Sequence, residues 1–336
     1  MSFNVVSTFS GTGGSSEGYK RAGFNVLASL EFIEEARKSY RLNFPNTPII
    51  AKNIRETTGK EILELINLKK GELDVLDGSP PCASFSTQGA GVKYWGKEKK
   101  YSDTVQRTDD LFDEQIRLID EIKPKAIVIE NVKGMTMGIA KNLLSNYILK
   151  IKKIGYDINV EVLNSAYFET ATRRERMFII GFRNDLKIKP SHPKPFSKPI
   201  TYGEAIKSLK IPDDELEFLK NKIKNHKPTY EYWKKCPAGY NLSKVHPKGS
   251  YFSVTKASYD KPLPTIDTTP TNLIHPTVFR ILSISELKIC SSFGLDFKLS
   301  GSYEQQYERI GRAVPPNLMK HIALHIKEKL KNSSLN

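Results

Sequence analysis

Cysteine is scarce in this chain: 336 residues hold three, Cys82, Cys236 and Cys290. They are too few and too scattered for a disulfide framework or a CxxC metal site, and they fit a reducing compartment. Long apolar runs are missing as well. No stretch approaches the roughly 20 residues that a membrane span needs, and mean hydropathy is −0.42. The first residues lack the charged and apolar regions of a signal peptide and pass almost at once into strand-like sequence. The expectation is a cytoplasmic protein with no membrane and no metal among its partners. Internal repeats are absent too. Negative charge is in deficit, with 37 Asp+Glu against 52 Lys+Arg and a net charge of +15. That surplus points to a polyanionic partner, nucleic acid before membrane. With 39% apolar and 26% charged residues, a wholly disordered chain is excluded.

The length allows two domains. In the first half, strand-like and helix-like pieces alternate. Residues 4–9, 26–30, 73–77 and 126–130 read as strands, and residues 17–22, 34–43 and 111–122 as helices. This alternation predicts an α/β fold, a doubly wound, mainly parallel sheet. Composition changes after Arg183. Residues 184–277 carry 16 Lys, no Arg, nine acidic residues and 12 of the 19 prolines. We expect that stretch to be a smaller, loop-rich domain with helices at 202–209 and 213–224, little other helix, and a short strand at 250–255. Helical pattern returns at 285–292 and 316–330. Residues 1–183 and 278–336 would then form the larger domain.

Chemistry-bearing residues cluster where strands end. Phe9-Ser10-Gly11-Thr12-Gly13-Gly14 follows one strand and precedes a helix, a turn that lets backbone approach a bound nucleotide. Glu31 ends the next strand, where an acidic side chain can take a ribose diol. Ser79-Pro80-Pro81-Cys82 follows the strand at 73–77, and its prolines fix where Cys82 points. The Gly-punctuated stretch 83–103 beyond it reads as a mobile loop. Glu130-Asn131-Val132 puts a carboxylate on the same rim. Arg173, Arg174 and Arg176 run into a strand at 177–181, and guanidinium groups there could clamp phosphate or a base.

The order and spacing of these pieces resemble the DNA cytosine-5 methyltransferase family over residues 5–326. FSGTGG resembles the cofactor-binding first motif, SPPCASFS the Pro-Cys motif, ENVKGM the Glu-Asn-Val motif and RRERMFIIGFR the paired-Arg motif. RILSISELKICSSFG and QQYERIGRAVPPNLMKHIA resemble the last two motifs, and Thr265-Ile266 the pair closing the family's target-recognition domain. The resemblance implies a Rossmann-like methyltransferase sheet and S-adenosylmethionine as cofactor. It implies catalytic roles for Cys82, Glu130, Arg174 and Arg176. It implies cofactor binding by Phe9, Ser10, Gly11, Gly13, Gly14, Glu31, Asn53, Ile54, Pro80 and Val314. Residues 184–277 fall where the family keeps target recognition. Double-stranded DNA is the implied partner, the chain is expected to be monomeric, and a cognate restriction endonuclease is a further implied partner. Four positions depart from the family's pattern: Ser7 and Asn53, where Asp is usual, Thr172 for Gln, and Arg312 for Asn.

Three competing readings stay open at this level. An amino-group methyltransferase would carry an aromatic residue in place of Cys82. A tRNA cytosine-5 methyltransferase of the same fold would carry a Cys-Phe-Thr motif, where this chain has Cys290-Ser291-Ser292-Phe293-Gly294. A non-catalytic DNA-binding regulator on this scaffold would not need both Cys82 and Glu130.

Overall fold

A computed structural model describes residues 2–81, 99–101, 104–106, 108, 110–251 and 253–333. The chain divides into two compact units. The first comprises Met1–Asn164, Glu175–Lys194 and Leu318–Asn336, the second Ser165–Arg174 and Pro195–Asn317.

The first unit is built on a seven-stranded sheet. Its strands are β1 (Phe3–Thr8), β2 (Phe24–Leu30), β3 (Ile49–Ile50), β4 (Val75–Gly78), β7 (Ala126–Val132), β8 (Tyr156–Asn164) and β10 (Glu175–Arg183). Their order is β3-β2-β1-β4-β7-β10-β8. The first five are parallel, and β10 runs antiparallel to both β7 and β8. A short hairpin, β5 (Lys99–Tyr101) and β6 (Thr104–Gln106), lies between β4 and β7 in the chain. The expected doubly wound, mainly parallel sheet is what the chain forms.

Helices α1 (Gly14–Arg21), α2 (Glu34–Asn43), α3 (Gly59–Leu65), α4 (Leu111–Ile122), α5 (Ala140–Lys153) and α11 (Pro316–Ser333) accompany these strands in the chain. In α4, Leu111, Phe112, Gln115, Ile116, Leu118, Ile119 and Ile122 are buried, the spacing of one helical face. Lys123 ends that helix in the left-handed region at φ 54°. In α2, Glu34 and Glu35 in the first turn and Arg41 in the last complement the helix dipole. From β7, the side chains of Ala126, Ile127, Val128 and Ile129 are fully buried, as befits a strand covered on both faces.

In the second unit, β9 (Thr172–Arg173) pairs with β12 (Leu263–Pro264), and β11 (Thr255–Lys256) with β13 (Leu273–Ile274). Its helices are α6 (Tyr202–Ile206), α7 (Asp213–Asn221), α8 (Lys227–Lys235), α9 (Ile284–Cys290) and α10 (Tyr303–Arg312). Trp233, Leu219, Ile223, Cys236, Leu242, Val254, Ile274 and Ile281 form one apolar cluster there. Tyr232 and Tyr251 pack against it. Of this segment's aromatic residues Tyr202 and Trp233 are buried, whereas Phe196, Phe218, Tyr230, Tyr240 and Tyr259 are exposed. Helix α8 was not expected, and the strand expected at 250–255 shrinks to the two residues of β11.

The units part at other residues than the composition break. Residues 184–194 stay with the sheet: the imidazole of His192 contacts Asn159 Oδ1 at 2.7 Å and the Phe178 carbonyl at 3.1 Å. Residues 278–317 join the second unit, where Arg280 and Glu286 form a buried bidentate pair at 2.8 Å. Leu282, Leu287 and Tyr307 fill a core there with Tyr202 and Leu263. Among the described residues no helix is long and apolar enough to cross a membrane.

Candidate active site

Strand register brings the first unit's polar residues together. Ser7 on β1 is the partner of Ser29 on β2 and of Asp77 on β4. Asp77 is in turn the partner of Val128 on β7, and Glu130 lies two residues further along that strand. Glu130 pairs with Phe178 on β10, two residues from Arg176. Side chains two apart share a face, and register partners share it too. Ser29, Ser7, Asp77, Glu130 and Arg176 therefore stand on one face near the carboxyl ends of the parallel strands, where open α/β sheets hold ligands.

Arg176 Nε lies 3.2 Å from Glu130 Oε1. Glu130 is 7% exposed. Burial lowers the pKa of the Arg176 guanidinium, and the Glu130 carboxylate opposes that shift. Beside this pair, Asn131 Nδ2 donates to the Pro80 carbonyl at 3.0 Å, and its Oδ1 accepts from the Val132 N–H at 2.8 Å. Asn131 thus ties the Pro-Pro turn to β7, a role its place beside Glu130 did not reveal. Cys82 lies outside the described residues.

The glycine-rich turn has a defined shape. Phe9 and Gly11 sit in the left-handed region at φ 52° and 56°, and Gly13 at 99°. Phe9 pays for this conformation as a non-glycine residue, which is uncommon outside constrained turns. At Gly13 a Cβ would lie 2.4 Å from the Phe44 ring, so only glycine fits. Gly14 opens α1. Glu31 accepts from the Gly11 N–H at 2.8 Å and from the Ile33 N–H at 2.7 Å, which fixes its carboxylate against the turn. Ser10 Oγ and Thr12 Oγ1 are buried without a hydrogen-bond partner among the described residues.

Asn53 caps the turn that follows it, with Oδ1 accepting from Arg55 N at 3.2 Å and Arg55 Nη1 at 3.3 Å. Ile54 is buried in the sheet's core. Arg174 and Val314 belong to the second unit. Arg174 donates to the carbonyls of Gly311 at 2.6 Å and Arg312 at 3.0 Å. These two bonds tie its guanidinium to the turn that ends α10. Thr172, one of the four departures, offers its carbonyl to Ser165 Oγ at 2.6 Å. Arg312, another, is held within its own helix by Glu308 at 2.7 Å. Cys236 and Cys290 are buried, and burial raises both thiols above their ordinary pKa.

Asp77 escaped the sequence reading. It is 1% exposed, Ser7 Oγ donates to its Oδ2 at 2.9 Å, and Thr8 Oγ1 donates to its carbonyl at 3.0 Å. Burial first, then the nearby Glu130 charge, push its carboxyl up to about 7, against the Ser7 and Ser15 hydroxyls. The signal that could have found it is an acidic residue late in the strand at 73–77, beside a first strand that carries Ser at position 7.

Comparison with known proteins covers nearly the whole chain. Residues 3–328 match the family model described as C-5 cytosine-specific DNA methylase. The type II methyltransferase M.Sau96I of Staphylococcus aureus is 30% identical over 95% of this chain and 74% of its own length. M.PspPI of a Psychrobacter species is 31% identical, over 94% and 77%. A solved structure of a prophage-encoded Escherichia coli protein has the same fold, with a TM-score of 0.76 at 20% identity, covering 98% of this chain and all of that one.

Proposed function

This chain belongs to the C-5 cytosine-specific DNA methylase family, and from that membership we propose that it methylates C5 of a cytosine within a specific duplex DNA sequence, with S-adenosylmethionine as donor. The observation that carries the reading is the Glu130–Arg176 pair beside the Pro80 turn, two residues before Cys82 in the chain.

The residues of the Gly-rich turn suit the donor. Ser10 Oγ and Thr12 Oγ1 are buried polar atoms lacking partners among the described residues, Gly13 keeps backbone open where a side chain would collide, and the oriented Glu31 carboxylate can accept from a ribose diol. When bound, the donor supplies an electrophilic methyl group on a sulfonium.

The chain's own residues would do the rest. Cytosine C6 cannot be reached inside a duplex, so the base is flipped out, at a few kcal/mol. The Cys82 thiolate adds at C6, forming an S–C bond and making C5 enamine-like. Glu130 hydrogen-bonds N3 and the 4-amino group as Cys82 adds. Arg176 holds Glu130 and offers N–H to O2, where charge also builds. After C5 takes the methyl group, a base removes the C5 proton, the C5–C6 double bond re-forms and the thiolate leaves. Arg174 we assign to holding the Gly311–Arg312 backbone. The Lys-rich segment 184–277 anchors phosphates and reads the sequence, so binding weakens steeply with salt.

Mass spectrometry of nucleosides from methylated plasmid is the test. 5-Methylcytosine is expected; only N4-methylcytosine or N6-methyladenine would refute the reading, and preferential labelling of tRNA would promote an RNA substrate. DNA carrying 5-fluorocytosine at the target should become covalently attached to wild-type protein and not to Cys82→Ala.

A further inference from the structure

We propose that Asp77 is the counter-charge for the cationic methyl donor, its unpartnered carboxylate oxygen neutralising positive charge that the cofactor brings to the carboxyl ends of β1 and β4. This rests on the cofactor reading above and assigns a residue outside the recognised motifs.

Asp77 presents a carboxyl group with no cation to balance it among the described residues. Asp77 is 1% exposed, and among the described residues its Oδ1 has no hydrogen-bond partner. No Lys, Arg or His pairs with it among the described residues. The groups that face it are acidic or neutral: Glu130 from β7, Tyr19 from α1 and Tyr40 from α2, with Ser7 and Ser15 as hydroxyl neighbours. Burial raises Tyr19 well above its ordinary range and Tyr40 to about 12, so neither phenol charges. A buried carboxylate without a cation is expensive; it takes a proton or awaits a positive ligand.

Its location selects the ligand. Asp77 and Ser7 are register partners, and Ser7 lies two residues before the left-handed Phe9 that opens the Gly-rich turn. Gly78, next in β4, cannot carry a side chain, because a Cβ would lie 2.4 Å from Thr8 Oγ1 and 2.7 Å from Gln115. The backbone of β4 thus packs tightly against Thr8 of β1 and Gln115 of α4 at the residue after Asp77. A donor with a sulfonium and an ammonium would complete the charge balance, and binding would expel the proton from Asp77.

The measurement is calorimetric titration of the full chain with S-adenosylmethionine at pH 6, 7 and 8, in two buffers of different ionisation enthalpy. For a group titrating at about 7, wild-type affinity should rise about tenfold from pH 6 to pH 8 beyond the donor's own titration, with proton release on binding. Asp77→Asn keeps an acceptor for Ser7. It should bind at least about tenfold more weakly at pH 8 and lose this extra pH dependence. The donor's amino group titrates equally in both proteins, so the difference isolates Asp77. Ser7→Asp/Asp77→Asn moves the carboxylate to the register partner and should recover affinity. An Asn variant with wild-type affinity and pH profile overturns the proposal alone; wild-type protein that binds no S-adenosylmethionine overturns the cofactor reading as well. Should Asp77→Asn not fold, wild-type proton release decides by itself: its absence at pH 6, beyond that of the donor, refutes the assignment.

Discussion

Arg176 Nε stands 3.2 Å from Glu130 Oε1, although 45 intervening positions of sequence include a helix and a strand. Antiparallel pairing of β10 with β7 makes them diagonal neighbours on one sheet face. The contact orients the carboxyl group that the proposed chemistry uses.

Glu130→Gln should therefore lower the methylation rate by at least ~10²-fold, the scale of a positioned acid or base, with DNA affinity little changed. Arg176→Lys keeps charge but loses the planar fork and should fall by a similar factor. Single-turnover methyl incorporation is the measurement. A Gln variant within about fivefold of wild type would remove Glu130 from the chemistry.

Two glycine substitutions should separate collision from conformational strain. At Gly311 a Cβ would lie 2.0 Å from the Asp267 carbonyl oxygen, a backbone atom that cannot swing away. Gly311→Ala should lose roughly 1–3 kcal/mol or more. Gly11 has open space but a φ of +56°, so Gly11→Ala should lose about 1–2 kcal/mol. Urea denaturation of both variants tests the ranking, and equal losses would contradict it.

Acid should destabilise both units through buried neutral histidines. In the second unit, His275 Nδ1 accepts from the Val278 N–H at 3.1 Å, and Nε2 lies 3.1 Å from the Tyr259 hydroxyl. Burial lowers His275, and likewise His192 in the first unit, to about 4. An unfolded histidine binds its proton near 6.5. Between those values the unfolded chain binds more protons, so stability falls as pH drops from about 6.5 to about 4, by up to ~3 kcal/mol per histidine. Asp77 works oppositely: its raised carboxyl binds a proton in the fold that the unfolded chain has lost, so stability falls as pH rises toward about 7. Melting curves of wild type and His275→Asn across this range check the sign; the variant should show the flatter acid limb.

Exchange of residues 195–277 for the corresponding segment of a relative with a known site should transfer sequence choice. Residues 184–194 are kept because His192 packs on the sheet. Restriction-protection assays on the chimera read the outcome, and a folded, active chimera keeping the original site would refute the assignment. Within that segment, Asn241 is already engaged: its Oδ1 accepts from the Ser243 N–H at 2.9 Å. Lys244 Nζ stands 3.4 Å from the centre of the Tyr240 ring.

Local pattern was legible where one face of an element carries the signal. Helices α2 and α4 fall at the residues their periodicity indicates, and the core strands within a few residues. Helix α8 was hidden because Lys, Pro and Tyr dominate it, and its helicity depends on tertiary burial of Trp233. The three closely spaced arginines illustrate the same limit. Their order in the chain cannot say that Arg174 turns to the carbonyls of Gly311 and Arg312 while Arg176 turns to Glu130. Asp77 read as the end of an ordinary strand, since its partner Ser7 is 70 residues away.

The discontinuity of the first unit bears on how the molecule is made. Lys327 donates to the Ala22 carbonyl at 2.8 Å, Ser191 Oγ lies 3.0 Å from His325 Nε2, and Leu318, Met319, Ile322, Ala323 and Ile326 are fully buried. On the ribosome, β1 emerges first and must wait for α11 before its unit is closed. The second unit's segments are translated in that interval. A nascent chain halted before residue 318 holds an uncovered apolar face, making it a substrate for chaperones and proteases.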